Sequence, residues 1–326
     1  MQAAWYAAIG SAEEVLHVGE VDDPSPLAGE VLVEIKTSGV NPSDVKTRAG
    51  ARGELQFPRI IPHSDGGGII IKVGEGVSED RVGERVWIWN GAFGRAQGTC
   101  AEQMALPSSQ AIAMSENVSF ETAACLGIPA ATAYYGVFSD GSVEDQTILI
   151  TGGAGAVGNL GIQLAKWSGA DVISTVSSDD KATVAKAAGA DLVVNYKTGN
   201  VIEAVNDFTK GQGVDRILEV EFGGNLSVSE QVIKNNGVIA AYGSVAEANP
   251  SLPFYNLMFK GVKLNTYLIY IVSEKDRDDI NKGITSALSD SALTPIIAES
   301  FNLSEIINAH QSLEEGSVIG NVVINI

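Results

Sequence analysis

A glycine-rich turn between an apolar run and an amphipathic run is the feature that most constrains this chain. Ile148–Ile150 is a short apolar run, the turn glycines follow within Gly153–Gly158, and Asn159–Gly169 carries apolar residues at helical spacing. Strand, G-x-G-x-x-G turn and helix in this order form the fingerprint of a dinucleotide-binding unit. The same pattern also occurs in ordinary strand–helix turns, so its context decides between the two interpretations.

Each residue type in the turn has a physical reason. We expect Gly153 to permit the tight turn, Gly155 to let the backbone approach a pyrophosphate, and Gly158 to let the helix pack closely. Ala156 and Val157 then open the helix, where free N–H groups and the helix dipole attract phosphate. These five residues are the predicted pyrophosphate site.

The context favours dinucleotide binding, because strand-like and helical runs alternate after the turn. Such alternation predicts a doubly wound parallel sheet in an α/β domain. A β-rich run at 263–271 supplies a sixth strand. The other predicted strands are 172–176, 192–195, 216–220 and 238–242, with helices at 181–188, 201–209 and 226–234.

The rest of the chain predicts a second, β-rich domain. Residues 1–124 contain short alternating runs and turn glycines, and the pattern becomes helical over 118–137. Helical runs at 276–288 and 303–313 precede a closing strand at 321–326, which we expect to return to the first domain. The predicted domains are therefore 1–124 with 272–326, and 125–271.

Composition excludes several classes of function. The formal net charge is −19, which argues against a nucleic-acid partner because phosphate binding needs clustered cations. The chain has no run of about 18 apolar residues, so no membrane span is predicted. The N-terminus lacks the pattern of a signal peptide. The chain has only two cysteines, Cys100 and Cys125, which excludes a four-cysteine zinc site. We expect a cytoplasmic protein with two reduced thiols.

Several motifs resemble the medium-chain dehydrogenase/reductases, and within them the zeta-crystallin-like quinone oxidoreductases. The matching segments occur in the order and spacing of that family over nearly the whole chain: 39–44, 62–68, 98–102, 128–133 and the glycine turn. The resemblance implies a GroES-like β-rich catalytic domain, a Rossmann domain with a doubly wound six-stranded parallel sheet, and an active-site cleft between them. It also implies a homodimer or homotetramer.

The resemblance bears on metal binding. Zinc enzymes of the superfamily hold a catalytic metal with Cys and His, and at the matching positions this chain has Asn41 and Ser64. His63 is one residue away, but a lone histidine in a proline-flanked loop is typical of a hydrogen-bonded structural residue. We therefore predict no metal, and an acceptor that is electrophilic without a Lewis acid.

The residues after the second strand favour NADPH over NADH. An acidic residue that would bind the ribose 2′-hydroxyl of NAD is replaced by Ser177, and Lys181 supplies a cation for a 2′-phosphate. Tyr196 matches a family position beside the adenosine phosphate. Asp179 and Asp180 complicate the local charge, and as an alternative they cap the next helix.

The resemblance implies four further cofactor contacts. It places Thr132 near the nicotinamide, Gly243 and Ser244 along the ribose and nicotinamide, and Asn321 near the pyrophosphate. Gly243 taken alone is equally compatible with a plain turn at the end of a strand.

Three polar residues are the candidates for the catalytic site. Asn41 matches a family position that hydrogen-bonds the cofactor or a substrate carbonyl, and Asp44 orients that group. Both residue types also favour turns. Lys46 stands where the family often has Tyr; it either stabilises a developing oxyanion, by proton donation or by charge, or points to solvent.

Three aromatic residues, Trp87, Trp89 and Phe93, cluster near the expected cleft. They either stack on a flat acceptor or belong to the core.

These inferences lead to three alternative functions. The first is a metal-independent NADPH:quinone oxidoreductase acting on a small-molecule quinone. The second is a reductase of the C=C bond of 2-alkenals or enones on the same scaffold. The third is an NADPH-binding protein of the crystallin or RNA-binding type with little turnover. The acceptor that oxidises NADPH distinguishes the first two.

Overall fold

The computed structural model describes all residues, Met1–Ile326, and the chain divides into two compact units. One comprises Met1–Pro129 with Pro295–Ile326, and the other comprises Ala130–Thr294. The N-terminal segment contains β1 Gln2–Trp5, α1 Ala12–Val15, β2 His17–Glu20, β3 Glu30–Val40, α2 Pro42–Arg48, β4 Asp65–Val73, β5 Arg85–Ile88, β6 Gln103–Pro107, β7 Ala111–Ala113 and α3 Phe120–Ala123.

The second unit and the C-terminal segment complete the fold. The second unit contains α4 Ala131–Phe138, β8 Thr147–Thr151, α5 Ala156–Trp167, β9 Asp171–Val176, α6 Asp179–Ala187, β10 Leu192–Asn195, α7 Val201–Phe208, β11 Val214–Glu219, α8 Phe222–Val232, β12 Ile233–Ala241, α9 Phe254–Lys260, β13 Lys263–Thr266 and α10 Glu274–Ser289. The C-terminal segment contains β14 Ile297–Asn302, α11 Ile306–Glu315 and β15 Asn321–Asn325.

The sheet of the second unit has six parallel strands in the order β10-β9-β8-β11-β12-β13. Its central strands are continuous apolar runs, as expected where helices cover both faces. Leu149, Ile173, Ile217 and Ile239 form part of its core and are at most 1% exposed. The strand order reverses between β8 and β11, which is the place where doubly wound folds bind ligands. The predicted doubly wound sheet is confirmed.

Two local predictions in this unit were wrong, and one helix was missed. The sixth strand ends at Thr266, and Ile269–Ile271 forms a 3₁₀ turn instead of continuing the strand. The helix predicted to reach residue 234 ends at Val232, because β12 begins at Ile233. Helix α9 was not predicted.

Helix α10 belongs to the second unit, which therefore extends beyond the predicted boundary at residue 271. Gly283 of α10 lies against the ring of Tyr134 in α4; a Cβ atom there would be 2.1 Å from ring carbon atoms. This close helix contact binds α10 to the unit that contains α4. No helix of the chain has both the length and the hydropathy needed to cross a bilayer.

The first unit contains a seven-stranded sheet whose main path is β14-β15-β3-β4-β5-β7, with β6 paired to β3. Strand β3 is long enough, at 11 residues, to pair with β15 near its end and with β6 near its start. The C-terminal strand β15 thus lies inside this sheet, as predicted. Asn41 and Pro42 begin helix α2 rather than a simple turn, because proline is favoured in the first helical turn.

Candidate functional site

The glycine turn lies between β8 and α5 and is closed by a hydrogen bond from the Gly155 N–H to the Gly152 carbonyl oxygen at 2.9 Å. Gly153 lies inside this turn, as expected. The left-handed residue is Gly152, whose φ of +70° favours glycine. At Gly153 a Cβ atom would lie 2.0 Å from Ser174 Oγ on β9, so this glycine allows close contact with the neighbouring strand.

Gly155 and Gly158 have different steric roles. A Cβ atom at Gly158 would lie 2.3 Å from the carbonyl oxygen of Gly152, so the helix is packed directly against the turn. A Cβ atom at Gly155 would meet only that same oxygen, at 3.4 Å. The space outside Gly155 is therefore open to a ligand.

The N-terminus of α5 has the properties of an anion site. Gly155 is the N-cap and supplies no side-chain cap to the N–H groups of Ala156 and Val157. Uncapped N–H groups at the start of a 12-residue helix are suited to bind phosphate oxygens. The residues present thus fit the pyrophosphate of a dinucleotide.

The three residues predicted to contact a 2′-phosphate lie near the end of β9. Ser177 directly follows β9 and is half-buried. The backbone N–H of Tyr196 donates to the Val176 carbonyl oxygen at 3.0 Å, so Tyr196 lies beside the end of β9. Lys181 is half-buried in the first turn of α6, where its N–H donates to Ser178 Oγ at 3.3 Å. No salt bridge of the structure involves Lys181.

The loops after β11 and β12 are tied together beside the glycine turn. The carbonyl oxygen of Gly243 accepts the N–H of Phe222 at 2.8 Å, and Ser244 Oγ accepts the N–H of Gly223 at 2.9 Å. A Cβ atom at Gly243 would lie 2.4 Å from the Val220 carbonyl oxygen, so the close approach of the two loops requires glycine there. Gly243 is therefore more than a plain turn residue.

Thr132 is buried in α4, and its backbone carbonyl accepts Tyr267 Oη at 2.8 Å.

A buried acid that the sequence analysis missed connects these loops. Glu219, fully buried at the end of β11, accepts hydrogen bonds from Thr151 Oγ1 at 2.8 Å, the Glu221 N–H at 2.7 Å and Asn225 Nδ2 at 2.8 Å. Burial raises the pKa of Glu219, and these donors oppose that rise. An acid at the end of an apolar strand was the signal that could have found it.

In the first unit, Asn41 and Asp44 form a compact polar group at the start of α2. Asn41 Nδ2 donates to Asp65 Oδ2 at 2.9 Å, and the backbone N–H of Asn41 donates to Asp44 Oδ2 at 2.8 Å. All three residues are buried. Burial raises the pKa of Asp44 to about 7, against the lowering effects of the Asn41 N–H and of Arg52.

Lys46 does not join this group, because its side chain is exposed on α2. Asn321 is held within the first unit, where its N–H and its Nδ2 both donate to the Ile296 carbonyl oxygen, at 2.8 and 3.0 Å.

The predicted aromatic cluster divides between core and surface. Trp87 is fully buried in the core, so it has no face available for stacking, whereas Trp89 is half-buried and Phe93 is 41% exposed.

His63, expected to be a lone structural histidine, has a buried partner. Its Nε2 lies 3.0 Å from Nε2 of His310, and both rings are fully buried. Burial lowers the pKa of both imidazoles, that of His310 to about 3. No group of three or more His, Cys, Asp or Glu side chains in the structure could hold a metal ion.

Comparison with protein families matches both parts of the chain. Residues 27–149 match the alcohol dehydrogenase GroES-like domain, and residues 156–284 match the zinc-binding dehydrogenase domain. A 2-methylene-furan-3-one reductase of Solanum lycopersicum is 30% identical, covering 100% of this chain and 79% of that protein. The chain belongs to the medium-chain dehydrogenase/reductase family. The predicted GroES-like and Rossmann domains are thereby confirmed, and the chain is an oxidoreductase of that family.

Other similar proteins show the range of the family. A quinone oxidoreductase of Rattus norvegicus is 26% identical over 97% of this chain and 95% of its own length. A mycobacterial protein solved in complex with NADPH is 27% identical with a TM-score of 0.86, covering 100% of both chains. An NAD-dependent alcohol dehydrogenase structure is 29% identical with a TM-score of 0.88, also covering 100% of both chains.

Proposed function

We propose that this protein is a zinc-independent reductase that transfers a hydride from NADPH to quinones. The main support for this proposal is the uncapped, sterically open N-terminus of α5, which fits a dinucleotide pyrophosphate. The chain is also similar over nearly its whole length to a quinone oxidoreductase. The mycobacterial structure solved with NADPH supports the choice of reduced cofactor.

The choice of NADPH over NADH rests on the edge formed by Ser177, Lys181 and Tyr196. Ser177 carries no charge to repel a 2′-phosphate, and the Lys181 ammonium makes no ion pair within the chain. The carboxylate of Asp179 is turned toward Asn195, whose Nδ2 lies 3.4 Å from Asp179 Oδ1. We propose that Lys181 and Tyr196 contact the 2′-phosphate.

The remaining cofactor residues keep the roles proposed from the resemblance. Gly153–Gly158 with Ala156 and Val157 would hold the pyrophosphate, Thr132, Gly243 and Ser244 the nicotinamide side, and Asn321 the pyrophosphate from the first unit. Glu219 supports this arrangement, because it joins Thr151 before the glycine turn to the loop after β11.

The proposed zinc-independence rests on the side chains at the matching ligand positions. Asn41 and Ser64 stand at the matching ligand positions, and neither is a ligand that Zn²⁺ prefers. Asn41 Nδ2 is also engaged with Asp65 Oδ2. An acceptor reduced without a Lewis acid must already be electron-poor, which describes quinones and enones.

In the proposed mechanism, NADPH when bound supplies the hydride, and the chain supplies position and polarity. Asn41 Nδ2 carries a second hydrogen besides the one donated to Asp65, and the acceptor carbonyl would compete for it with the Asp44 side chain, which Asn41 also hydrogen-bonds. Asp44 fixes the backbone of Asn41 by accepting its N–H. The exposed Lys46 is left with an electrostatic role toward the developing oxyanion.

A second candidate function is reduction of the C=C bond of a 2-alkenal or enone. The tomato 2-methylene-furan-3-one reductase, at 30% identity, favours it. The same carbonyl contact from Asn41 would polarise an enone, so the site geometry is compatible with both acceptors.

The experiment is NADPH oxidation by the chelator-treated protein with 1,4-benzoquinone, 9,10-phenanthrenequinone and a 2-alkenal offered separately. Quinone turnover that chelator leaves unchanged supports the first function, and preference for the alkenal supports the second. Asn41→Ala should reduce turnover at least tenfold, whereas Asn206→Ala, on the exposed face of α7, is the matched control. Tight NADPH binding without turnover of any acceptor would refute both.

We also propose a homodimer formed through the second unit. Strand β13 is an edge strand of the six-stranded sheet, and the neighbouring α9 exposes Phe254, Tyr255 and Phe259 by 60–78%. Unpaired strand edges and apolar patches of this kind are typical of subunit interfaces. Phe259→Glu should lower the mass measured by light scattering, whereas Leu27→Glu in the first unit should not.

The proposed compartment is the cytoplasm, because Cys100 and Cys125 are both buried free thiols.

A further inference from the structure

A hydrogen-bonded chain of four fully buried side chains leads from α11 to the backbone of Asp65. His310 Nε2 lies 3.0 Å from His63 Nε2, and Ser38 Oγ lies 2.9 Å from His63 Nδ1. Ser38 Oγ is also 2.7 Å from Thr99 Oγ1, which donates to the Asp65 carbonyl oxygen. His310, His63, Ser38 and Thr99 are each 0% exposed.

The fixed end of the chain determines the direction of every hydrogen bond in it. A carbonyl oxygen only accepts, so Thr99 uses its single hydrogen on Asp65, and Ser38 must donate to Thr99. Ser38 Oγ therefore accepts from His63, which carries its hydrogen on Nδ1. His63 Nε2 is then an acceptor, and His310 must donate from Nε2.

The far end of the chain agrees with this direction. His310 Nδ1 is left as a bare lone pair, and it is a buried atom that has no hydrogen-bond partner. The opposite direction would bury an unpaired N–H donor there, which is the more costly arrangement. The positive charge of Arg48 also disfavours an added proton on His310.

The backbone of His63 is also unusual. His63 has φ +76°, in the left-handed region that few residues other than glycine adopt, although asparagine, aspartate and histidine are enriched there. Its ring is held at both nitrogen atoms, one by Ser38 and one by His310. The left-handed residue lies two positions before Asp65.

We propose that His63 and His310 are positioning residues that fix Asp65, and through it Asn41, by this one-directional chain. Asp65 is held at its carbonyl oxygen by Thr99 and at Oδ2 by Asn41 Nδ2, so the chain and the candidate catalytic residue meet on one residue. The chain ends on an amide carbonyl, which passes no proton onward. It therefore orients and does not conduct protons. The kinetic part of this proposal rests on the proposed function.

The first test does not depend on catalytic activity. The polypeptide has three histidines, and ¹⁵N spectra of the histidine-labelled protein report the tautomer of each. At pH 7 we expect a neutral Nδ1–H form for His63 and a neutral Nε2–H form for His310, with exposed His17 as the internal reference. The reverse tautomers, or an imidazolium in either ring, would refute the hydrogen-bond directions inferred for these side chains.

The second test measures the orientation of Asn41. Hydrogen exchange of the Asn41 side-chain amide should be at least tenfold faster in His310→Leu, and His310→Gln, which keeps a donor near the position of Nε2, should restore part of the protection. Ala309→Gly weakens the same helix without touching the chain and should leave this exchange unchanged. Equal acceleration in Ala309→Gly and His310→Leu would show a merely structural role and refute positioning.

The kinetic arm uses a double-mutant cycle with quinone as acceptor. His310→Leu should lower kcat about tenfold with little change in the NADPH KM, and should add less than about threefold in an Asn41→Ala background. Additive losses would overturn the link to Asn41. Absence of turnover in the unsubstituted protein would count against the proposed function alone, because the tautomer and exchange tests decide the positioning proposal without it.

Discussion

Asp44 gives the sharpest quantitative prediction, because it is buried and its pKa is raised from 3.8 to about 7. Asp44→Asn removes the titration but keeps an oxygen that can accept the Asn41 N–H. At 1.36 kcal/mol per pKa unit, the rise amounts to roughly 4 kcal/mol between fully protonated and fully ionised states. More than half of this falls between pH 5 and pH 8.

The direction in which the free energy of unfolding changes with pH follows from the raised pKa of Asp44. The folded state binds the Asp44 proton more tightly than the unfolded state, so the stabilisation is complete below the unfolded pKa of 3.8 and is lost as pH rises through about 7. The free energy of unfolding of the unsubstituted protein should therefore fall, relative to that of Asp44→Asn, from pH 5 to pH 8. Buried His63 and His310 contribute the opposite trend in acid, but they do so equally in both proteins and cancel in the difference.

The assay is urea unfolding of both proteins at several pH values, followed by tryptophan fluorescence. Three of the four tryptophans, Trp5, Trp87 and Trp89, lie in the same unit as Asp44. Glu14→Gln is the matched control, because Glu14 accepts the Ser11 N–H at the surface in the same helix position and its pKa is lowered. A difference between protein and variant that stays flat from pH 5 to pH 8, or that rises, would refute the reasoning.

Three further predictions concern the cofactor site and the surface. Gly155→Val should abolish NADPH binding, measured by calorimetry, with little change in Tm, whereas Gly158→Ala should lower Tm because its Cβ would lie 2.3 Å from the Gly152 carbonyl oxygen; lost stability in Gly155→Val would show that the space is not open. Lys181→Ala should raise the KM for NADPH about tenfold and leave that for NADH nearly unchanged, and equal effects would remove its assigned role. Because the net charge is −19, NaCl should raise Tm by screening repulsion, and a Tm independent of salt would contradict this.

The architecture was predictable from sequence where local signals are strong. Runs such as Ile148–Ile150 and Val172–Val176 are rich in β-branched residues, and the helices between them have apolar residues at helical spacing. These patterns depend on neighbouring residues, so they fix strand and helix order. They do not fix which of two adjacent glycines takes the positive φ, and for this reason the left-handed conformation of Gly152 was not predicted.

Features that depend on distant residues were not predictable. The His63–His310 contact joins residues 247 positions apart, and no local pattern indicates it. Helix α9 was missed because it has only seven residues, too few for the i, i+4 spacing of Asn256 and Lys260 to show as a helical period. The exposure of Lys46 was not predictable either, because it follows from how α2 packs and not from the neighbouring residues in sequence.

The position of β15 inside the first sheet has a consequence for biosynthesis. Strand β3 leaves the ribosome about 280 residues (321 − 40) before its partner Asn321–Asn325. At ~5–20 residues per second, the 197 residues that separate Pro129 from Ile326 (326 − 129) take roughly 10–40 s to synthesise. The continuous unit Ala130–Thr294 is able to fold during that interval, while the edge of β3 stays unpaired. Nascent chains of this topology should therefore depend on chaperones that shield a waiting strand edge.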